Sequence, residues 1–151
     1  MNAILDANIL VRTTDPTDSQ HSMAKVAVTT LRTQGYLLCI VPQSLYEFWV
    51  VATRPKDKNG LGLSADECVQ EIKAFKSYYP LLLDQPTIYS EWETLVSLHA
   101  CCGKVAHDAR YVAAMKSHGI AHLVTFNSAD FVRYPGIVVH DPRTIAATPS
   151  E

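Results

Sequence analysis

Short apolar runs along the chain alternate with longer segments in which apolar residues recur every three or four positions. The short runs are typical of buried strands, and the longer segments of helices that turn one face toward a core. The predicted strands cover residues 2–5, 37–41, 81–83, 122–125 and 137–139. The predicted helices cover a brief segment after the first strand and residues 19–34, 44–53, 64–78, 88–99 and 108–118. This alternation predicts an α/β fold, a three-layer α/β/α domain with a mainly parallel sheet and helices on both faces.

A few polar residues set the predicted ends of these elements. Asn8 can cap the first short helix, and Ser64 with Glu67 has the spacing of a capping box. The segment RPKDKNGLGL is a predicted loop because of its Pro, Gly and charged residues. We expect the ordered domain to span residues 1–142, with 143–151 as a short C-terminal tail.

The composition is that of an ordinary globular protein, with 48% hydrophobic and 19% charged residues in a chain of 151. A chain of this length forms one domain. Its apolar runs are far shorter than the ~20 residues that cross a bilayer, and its N-terminus lacks a basic start followed by an apolar block. We therefore expect a soluble cytoplasmic protein with no membrane partner.

The four cysteines, Cys39, Cys68, Cys101 and Cys102, show no CxxC spacing. This arrangement suits neither a zinc knuckle nor a disulfide framework. The histidines near the last two do not complete a zinc site, because their spacing is irregular. We interpret the cysteines as inert, buried or half-buried thiols.

Four acidic residues lie inside apolar runs: Asp6 in ILDANIL, Glu47 in SLYEFWVV, Asp108 in VAHDARYVAAM and Asp130 in LVTFNSADF. Burying a carboxylate among Leu, Val and Phe is costly unless its charge is compensated. Asp6 and Asp130 follow predicted strands, Glu47 lies early in the helix after another strand, and Asp108 begins a helix that leads back into a strand. Because ligands bind outside the carboxyl ends of strands in an open α/β sheet, we expect all four at one edge.

Each acid also has an ordinary structural explanation. Asp6 could cap the first helix, and Asp108 and Asp130 could be caps or turn residues, since Asp is favoured at both. Glu47 would be unremarkable on a surface helix, but here its neighbours are aromatic. These explanations must all hold at once to remove the predicted site.

Carboxylates that converge repel one another unless a cation keeps them ionised. A site of carboxylate oxygens suits Mg²⁺ or Mn²⁺ and lacks the His and Cys ligands that zinc prefers. Such an ion can lower the pKa of a bound water and stabilise charge on a phosphoryl oxygen. The four acids therefore predict metal-assisted phosphodiester hydrolysis.

At these positions the chain resembles the PIN-domain ribonucleases, and more closely the VapC-type toxins among them. The resemblance rests on four motifs in order, LDANIL, SLYEFWVVATRP, HDARYVAAM and TFNSADF, and extends from residue 1 to about 142. It implies a PIN fold, Mg²⁺ or Mn²⁺ dependence and endonucleolytic cleavage of RNA. For a toxin it also implies a homodimer and inhibition by a cognate antitoxin protein.

The resemblance assigns roles to individual residues. The positions that match the catalytic, metal-binding acids are Asp6, Glu47, Asp108 and Asp130. The positions that match supporting polar residues are Asn8, Thr125 and Asn127. Ala7 stands where many relatives have Thr or Ser, which removes one hydroxyl from the rim of the site. The last motif leaves open whether Asn127 or Asp130 approaches the metal.

The net charge of −2 and the pI of about 6.3 mean that RNA would have to bind through a local basic patch. The basic residues in segments expected near the acidic edge are Arg12, Arg54, Lys56, Lys58, Lys104 and Arg110. Arg54 directly follows the Glu47 helix and is the first choice as a phosphate contact. The ordinary alternative for each is a solvated loop charge. We interpret His107, beside Asp108, as a helix-flanking residue rather than a general base.

Three other functions stay open at this point. One is a PIN nuclease of RNA processing that is not a toxin. Another is a Mg²⁺-dependent phosphatase of the haloacid dehalogenase type, although that family needs a second Asp where this chain has Asn8. The third is a catalytically silent binding module, which would be favoured by loss of an acid, whereas all four are present.

Overall fold

The computed structural model describes residues 1–147, and residues 148–151 lie outside that description. Within residues 1–147, four strands and seven α-helices form the domain. The strands are β1 (Asn2–Leu5), β2 (Leu37–Cys39), β3 (His122–Val124) and β4 (Val138–His140). The helices are α1 (Ala7–Thr14), α2 (His21–Thr33), α3 (Pro42–Thr53), α4 (Ala65–Tyr78), α5 (Ile88–Leu98), α6 (Val105–His118) and α7 (Pro142–Ala147).

The four strands form one parallel sheet in the order β2-β1-β3-β4. In β1, Ala3 lies opposite Leu38 on one side and His122 on the other. Successive side chains of a strand point to opposite faces, so Ala3 and Leu5 enter one core and Ile4 enters the other. The first core is covered by α1 to α4 and the second by α5 and α6. The predicted three-layer α/β arrangement is confirmed.

The predicted strand at residues 81–83 is wrong. Only Leu81 makes a bridge, to Ile40 next to β2, through hydrogen bonds from Ile40 N to Pro80 O and from Leu82 N to Ile40 O. The chain then leaves the sheet, and the Leu83 side chain is exposed. An apolar run of three residues does not show whether a neighbouring strand continues beside it.

The ordered chain also continues past Pro142, where we expected it to end. Pro142 is the first residue of α7, a position that suits its fixed φ and its missing N–H. Asp141 Oδ1 accepts hydrogen bonds from Arg143 N and Nε, both at 2.9 Å, and Ile145 packs against the first core. The pair Asp141–Pro142 therefore begins a helix.

Three smaller corrections concern helix starts. Asp6 caps α1, not Asn8, because Asp6 Oδ1 accepts from the Asn8 backbone N–H at 3.3 Å. Helix α3 begins at Pro42, which places Glu47 in its second turn instead of its first. Helix α6 begins at Val105, so that Asp108 lies within its first turn. The capping box of Ser64 and Glu67 at the start of α4 is confirmed.

The cysteines are free thiols. Cys39 and Cys68 are buried and Cys101 is half-buried, as expected, but Cys102 is exposed because it lies in the turn after α5. Within residues 1–147, none of the helices combines the length and the apolar character that a bilayer span requires.

Candidate active site

The carboxyl end of the central strand opens into a cleft of about 350 Å³, which we call the acid cleft. Its polar lining consists of Asp6, Asn8, Arg12, Asp18, Glu47, Asn59 and Asn127. Asp6 comes directly from the end of β1, Glu47 from α3, and Asn127 from the turn after β3. Ser44 Oγ donates to Leu5 O at 2.7 Å and thereby ties the start of α3 to the end of β1. Of the four acids expected at one sheet edge, Asp6 and Glu47 line this cleft.

Asp6 is a buried carboxylate, with 6% of its surface exposed. Its Oδ2 accepts from Thr125 Oγ1 at 2.7 Å, and its Oδ1 accepts from Asn8 N at 3.3 Å. Burial raises the pKa of Asp6 to about 6, the hydrogen bond from Thr125 opposes that rise, and the charge of Glu47 adds to it. The Asp6 carboxylate is thus ionised at neutral pH, but keeping this buried group charged costs free energy, which a bound cation would offset.

Thr125 is the centre of the hydrogen bonds around Asp6. Besides donating to Asp6, its fully buried hydroxyl accepts from Asn8 Nδ2 at 3.1 Å and from Asn127 N at 3.0 Å. Asn8 Oδ1 accepts from Phe126 N at 3.3 Å. Thr125 and Asn8 therefore fix the position of the Asp6 carboxylate relative to the turn that carries Asn127.

Glu47 is held at both carboxylate oxygens by buried neutral donors. Gln43 Nε2 donates to Oε1 at 2.9 Å, and the Tyr111 hydroxyl donates to Oε2 at 2.9 Å. The same hydroxyl accepts from Ala7 N at 3.2 Å, so it joins Glu47 to the residue next to Asp6. Burial, followed by the charges of Asp6 and Glu47, raises the pKa of Tyr111 well above its usual value, and the phenol stays protonated as a donor.

Asp108 lies close enough to Asp6 and Glu47 for their charges to interact, and Asp130 lies close to Asp108, but neither residue lines the acid cleft. Burial raises the pKa of Asp108, and the charge of Asp130 raises it further, as does that of Glu47. The charge of Asp108 in turn contributes to the raised pKa of Asp6. Asn127, not Asp130, lines the acid cleft beside Asp6, whereas Asp130 faces Asp108 closely enough for their charges to interact.

Two observations bear on metal binding. Within residues 1–147, no three His, Cys, Asp or Glu side chains are grouped closely enough to hold an ion together. Asp108 Oδ2 is nevertheless buried and has no hydrogen-bond partner among the described residues. A buried carboxylate oxygen without a donor is costly unless a cation or an ordered water meets it.

The basic residues predicted to contact RNA lie in different environments. Arg12 lines the acid cleft, with its guanidinium 4.3 Å from the centroid of the Phe126 ring and 3.9 Å from Asp18. Arg110 is paired with Asp84 at 2.7 Å. Arg54 and Lys104 are exposed, and the charge of Lys104 lowers the pKa of Asp108. Their roles in RNA binding stay predictions.

The chain matches no protein-family model, and no curated protein matches it significantly. Solved structures do match. The structure of VapBC-1 from nontypeable Haemophilus influenzae superimposes with a TM-score of 0.70 at 15% identity, covering 95% of this chain and 99% of that chain. VapC20 from Mycobacterium tuberculosis, described as a sarcin-ricin loop cleaving toxin, gives a TM-score of 0.66 at 16% identity over 90% of this chain and 96% of that one.

A third match is VapBC2 from Rickettsia felis bound to a DNA fragment of its promoter. Its TM-score is 0.66 at 16% identity, covering 93% of this chain and 98% of that chain. The chain has the VapC-type PIN fold. At these identities the likeness establishes the fold, and the expected PIN architecture is confirmed.

In this PIN fold, two residues of the site were missed by sequence reasoning. Tyr111 lies at an apolar position of the predicted helix 108–118, and neither it nor Gln43 is among the predicted site residues. A signal for Gln43 exists, because it precedes Glu47 by four residues and therefore shares its helix face. No comparable signal exists for Tyr111, which is separated from Glu47 by 64 residues and meets it only in the folded chain.

Replacing Tyr111 by Phe is expected to destabilise the protein by about 2 kcal/mol, because Glu47 Oε2 and Ala7 N both lose a buried partner. We also expect affinity for Mn²⁺ to fall about tenfold or more, as when other groups that orient metal ligands are removed. Urea unfolding in EDTA and calorimetric titration with Mn²⁺ measure the two effects.

Tyr79→Phe is the matched control. Tyr79 is also buried, but its hydroxyl makes no side-chain hydrogen bond to the described residues. If both variants lost the same stability and bound Mn²⁺ equally, the hydroxyl of Tyr111 would have no role in holding Glu47.

Proposed function

We propose that this protein is a metal-dependent endoribonuclease that cleaves RNA phosphodiester bonds at the acid cleft. The observation that carries the proposal is the approach of Asp6, Glu47 and Asp108, from three separate elements, at the carboxyl end of the central strand of a PIN fold. Burial raises the pKa values of Asp6 and Asp108, and the charges of neighbouring acids, Glu47 for Asp6 and Asp130 for Asp108, raise them further, which is the electrostatic environment that favours a divalent cation.

The proposed cofactor is Mg²⁺ or Mn²⁺. The donors are all oxygens, and Mg²⁺ keeps several waters while binding directly to only one or two carboxylates. A site of this kind does not need three acids within direct reach of the ion. Asp6 and Asp108 would hold it, and the unpartnered Oδ2 of Asp108 is the oxygen that fits it best. When bound, the ion would supply an activated water and stabilise charge on the phosphate.

The side chains of the chain itself have separable tasks in this proposal. Thr125 and Asn8 keep the Asp6 carboxylate in one orientation. Gln43 and Tyr111 do the same for Glu47, which faces the acid cleft as a hydrogen-bond acceptor for an attacking water. Arg12, oriented by its stack on Phe126, offers positive charge to a phosphate in the same cleft. Asp130 adds negative charge beside Asp108.

The biological role proposed is that of a toxin in a type II toxin–antitoxin pair, with RNA as substrate. Support comes from the matching structures, which include a Klebsiella pneumoniae toxin–antitoxin complex with a TM-score of 0.62 at 21% identity. The proposed partners are therefore a cognate antitoxin protein and a second copy of the chain in a homodimer. If this is so, expression should arrest bacterial growth, and co-expression of the small protein encoded next to it should relieve the arrest.

The phosphatase alternative finds no support in the acid cleft. That alternative requires a second carboxylate at position 8, where the Asn8 side chain is instead engaged with Thr125 and Phe126 N. The silent binding module is not favoured either, because none of the four acids has been lost.

Purified protein is expected to cleave a mixture of structured RNAs with Mg²⁺ or Mn²⁺ and to stop when EDTA is added. The physical reason is that the phosphate and the acids repel each other unless a cation lies between them. Gel analysis of end-labelled RNA measures the cleavage, and a DNA strand of the same sequence is the comparison substrate. Cleavage that continues unchanged in EDTA would remove the proposed metal mechanism.

A further inference from the structure

A second cleft of about 590 Å³ lies between α5 and the start of α6, and we call it the side cleft. Its main lining residues are Asp84, Ile88, Tyr89, Trp92, His107 and Arg110. The function proposed above does not use it. Its volume is in the range of pockets that hold small molecules, and its lining combines apolar surface with a few placed polar groups.

The side cleft is joined to the acid cleft through Gln43. The Gln43 amide nitrogen donates to Glu47 Oε1 at 2.9 Å and to His107 O at 2.7 Å, while its amide oxygen accepts from Arg110 at 3.5 Å. Glu47 lines the acid cleft, and His107 and Arg110 line the side cleft. One side chain thus contacts residues of both clefts, so the two clefts are neighbours on the surface.

Aromatic rings form one wall of the side cleft. Tyr89 is 65% exposed, and the centroid of its ring lies 5.9 Å from that of Trp92 at an interplanar angle of 35°. Trp92 is fixed because its Nε1 donates to Ala106 O at 2.7 Å. A large exposed aromatic beside a fixed one offers a face on which another flat ring can stack.

A guanidinium group also lines the side cleft. Arg110 is held by Asp84 Oδ2 at 2.7 Å and by Gln43, so its plane has a defined orientation. The side chains of Asp84 and Arg110 are 38% and 30% exposed, which leaves hydrogen-bonding edges open to a ligand. Arginine planes and aromatic rings are the groups on which unpaired RNA bases stack.

We propose that the side cleft holds an unpaired base of the RNA, from the nucleotide adjoining the phosphate in the acid cleft. The base would stack on Tyr89 and direct its polar edge toward Arg110 and Asp84. This inference rests on the proposed nuclease function and adds to it a binding site for one base. The substrate is accordingly a single-stranded or looped segment, because a base in a duplex cannot enter the cleft.

An apolar peptide segment fits the side cleft less well than a base does. Covering the Asp84–Arg110 pair with apolar groups would remove both charges from water, and the attraction within a buried ion pair often fails to repay that desolvation cost. A base buries its flat faces but keeps donors and acceptors on its edge, so it can meet both the rings and the ion pair.

The test compares Tyr89→Ala with Tyr78→Ala, since the two tyrosines are similarly exposed, at 65% and 67%, and Tyr78 lies on α4. Stacking of a base on an aromatic ring is worth ~1 to 3 kcal/mol, which corresponds to about 5- to 150-fold in affinity. We expect Tyr89→Ala to raise KM for RNA by about tenfold with kcat nearly unchanged, and Tyr78→Ala to change neither. Tyr89→Phe, which keeps the ring, should behave as wild type.

Binding is measured separately with a 2′-O-methyl RNA oligonucleotide in EDTA, because the proposed cleavage needs a bound cation. In a Trp49→Phe background, quenching of Trp92 fluorescence should report the bound base, and Tyr89→Ala should weaken that binding. If wild type cleaves RNA while Tyr89→Ala matches it in KM and in quenching, the side cleft proposal is overturned and the nuclease function stands. If wild type binds the oligonucleotide with this Tyr89 dependence but cleaves nothing, the nuclease function fails and the base site stands.

Discussion

Asp6→Asn should lower metal-dependent RNA cleavage by about a thousandfold or more, and it should also make the metal-free protein more stable at neutral pH. The first effect follows because a cation at the acid cleft loses a charged ligand, and metal stabilisation of the reaction is worth several kcal/mol. The second follows because Asp6 is buried and its pKa is raised to about 6. The amide has nearly the same shape but carries no charge to desolvate.

The raised pKa of Asp6 predicts that the stability of wild type falls as the pH rises. The pKa of Asp6 is about 6 in the folded protein against an ordinary value of 3.8. Its contribution to the free energy of unfolding is therefore fully present below about pH 4 and is lost as pH rises through about 6. Relative to Asp6→Asn, wild type in EDTA should lose about 3 kcal/mol of stability between those limits. Asparagine has one acceptor oxygen where the carboxylate has two, so it can keep only one of the hydrogen bonds from Thr125 and Asn8 N, and the gain in the variant at neutral pH will be smaller.

Urea unfolding of both proteins in EDTA, at several pH values from about 4 to 7.5, measures this difference. Asp66→Asn is the control, because Asp66 is exposed in the first turn of α4. It should follow wild type in both cleavage and stability. Mg²⁺ should stabilise wild type and have little effect on Asp6→Asn. If Asp6→Asn cleaved RNA as well as wild type does, and Mg²⁺ stabilised both proteins equally, Asp6 would act only as the N-cap of α1.

Strand β1, which Asp6 directly follows, was predicted with the bounds that it has. Ala3, Ile4 and Leu5 are all fully buried, and a run that is buried on both faces is continuous in hydrophobicity. The same kind of apolar run led to the wrong prediction of a strand at residues 81–83. That apolar run lies at the edge of the fold, where one bridge to Ile40 is all the pairing that it makes. An apolar run predicts that a segment is buried, but it does not predict that another strand pairs with it.

The start of α7 was missed for a different reason. Asp followed by Pro is a usual way to end an ordered segment, but it is also the usual N-cap and first residue of a helix. Here the chain continues as a helix because Ile145 packs against the first core. That contact comes from tertiary structure and is not visible in a six-residue segment.

The two acids that line the acid cleft, Asp6 and Glu47, could be expected there because each comes soon after a strand. Parallel topology then brings them to one edge. The groups that orient those acids could not be predicted in the same way. Tyr111 occupies an apolar position of α6, and its hydroxyl hydrogen-bonds to Glu47 and Ala7 N only because the folded chain brings them together. Sequence patterns place backbone elements, whereas single hydrogen bonds depend on side-chain distances.

Thr125→Val should destabilise the protein by about 3 kcal/mol and lower its affinity for Mn²⁺ by about 10- to 100-fold. Valine has the same shape as threonine but replaces the hydroxyl with a methyl group. The change leaves Asp6 Oδ2, Asn8 Nδ2 and Asn127 N without the partner that they share. Because Thr125 has no exposed surface, water cannot replace the hydroxyl without a rearrangement.

Thr125→Ser separates the hydroxyl from the methyl group and should keep most of the metal affinity, losing only the stability that belongs to a buried methyl, about 1 kcal/mol. Urea unfolding in EDTA and calorimetric titration with Mn²⁺ measure the two quantities independently. If Thr125→Val bound Mn²⁺ as wild type does, the Thr125 hydroxyl would not be needed to orient Asp6 for metal binding. The orientation of Asp6 would then come from its role as the N-cap of α1 alone. If serine lost as much metal affinity as valine, packing around the methyl group would determine the geometry of the acid cleft, and the hydrogen bonds would not.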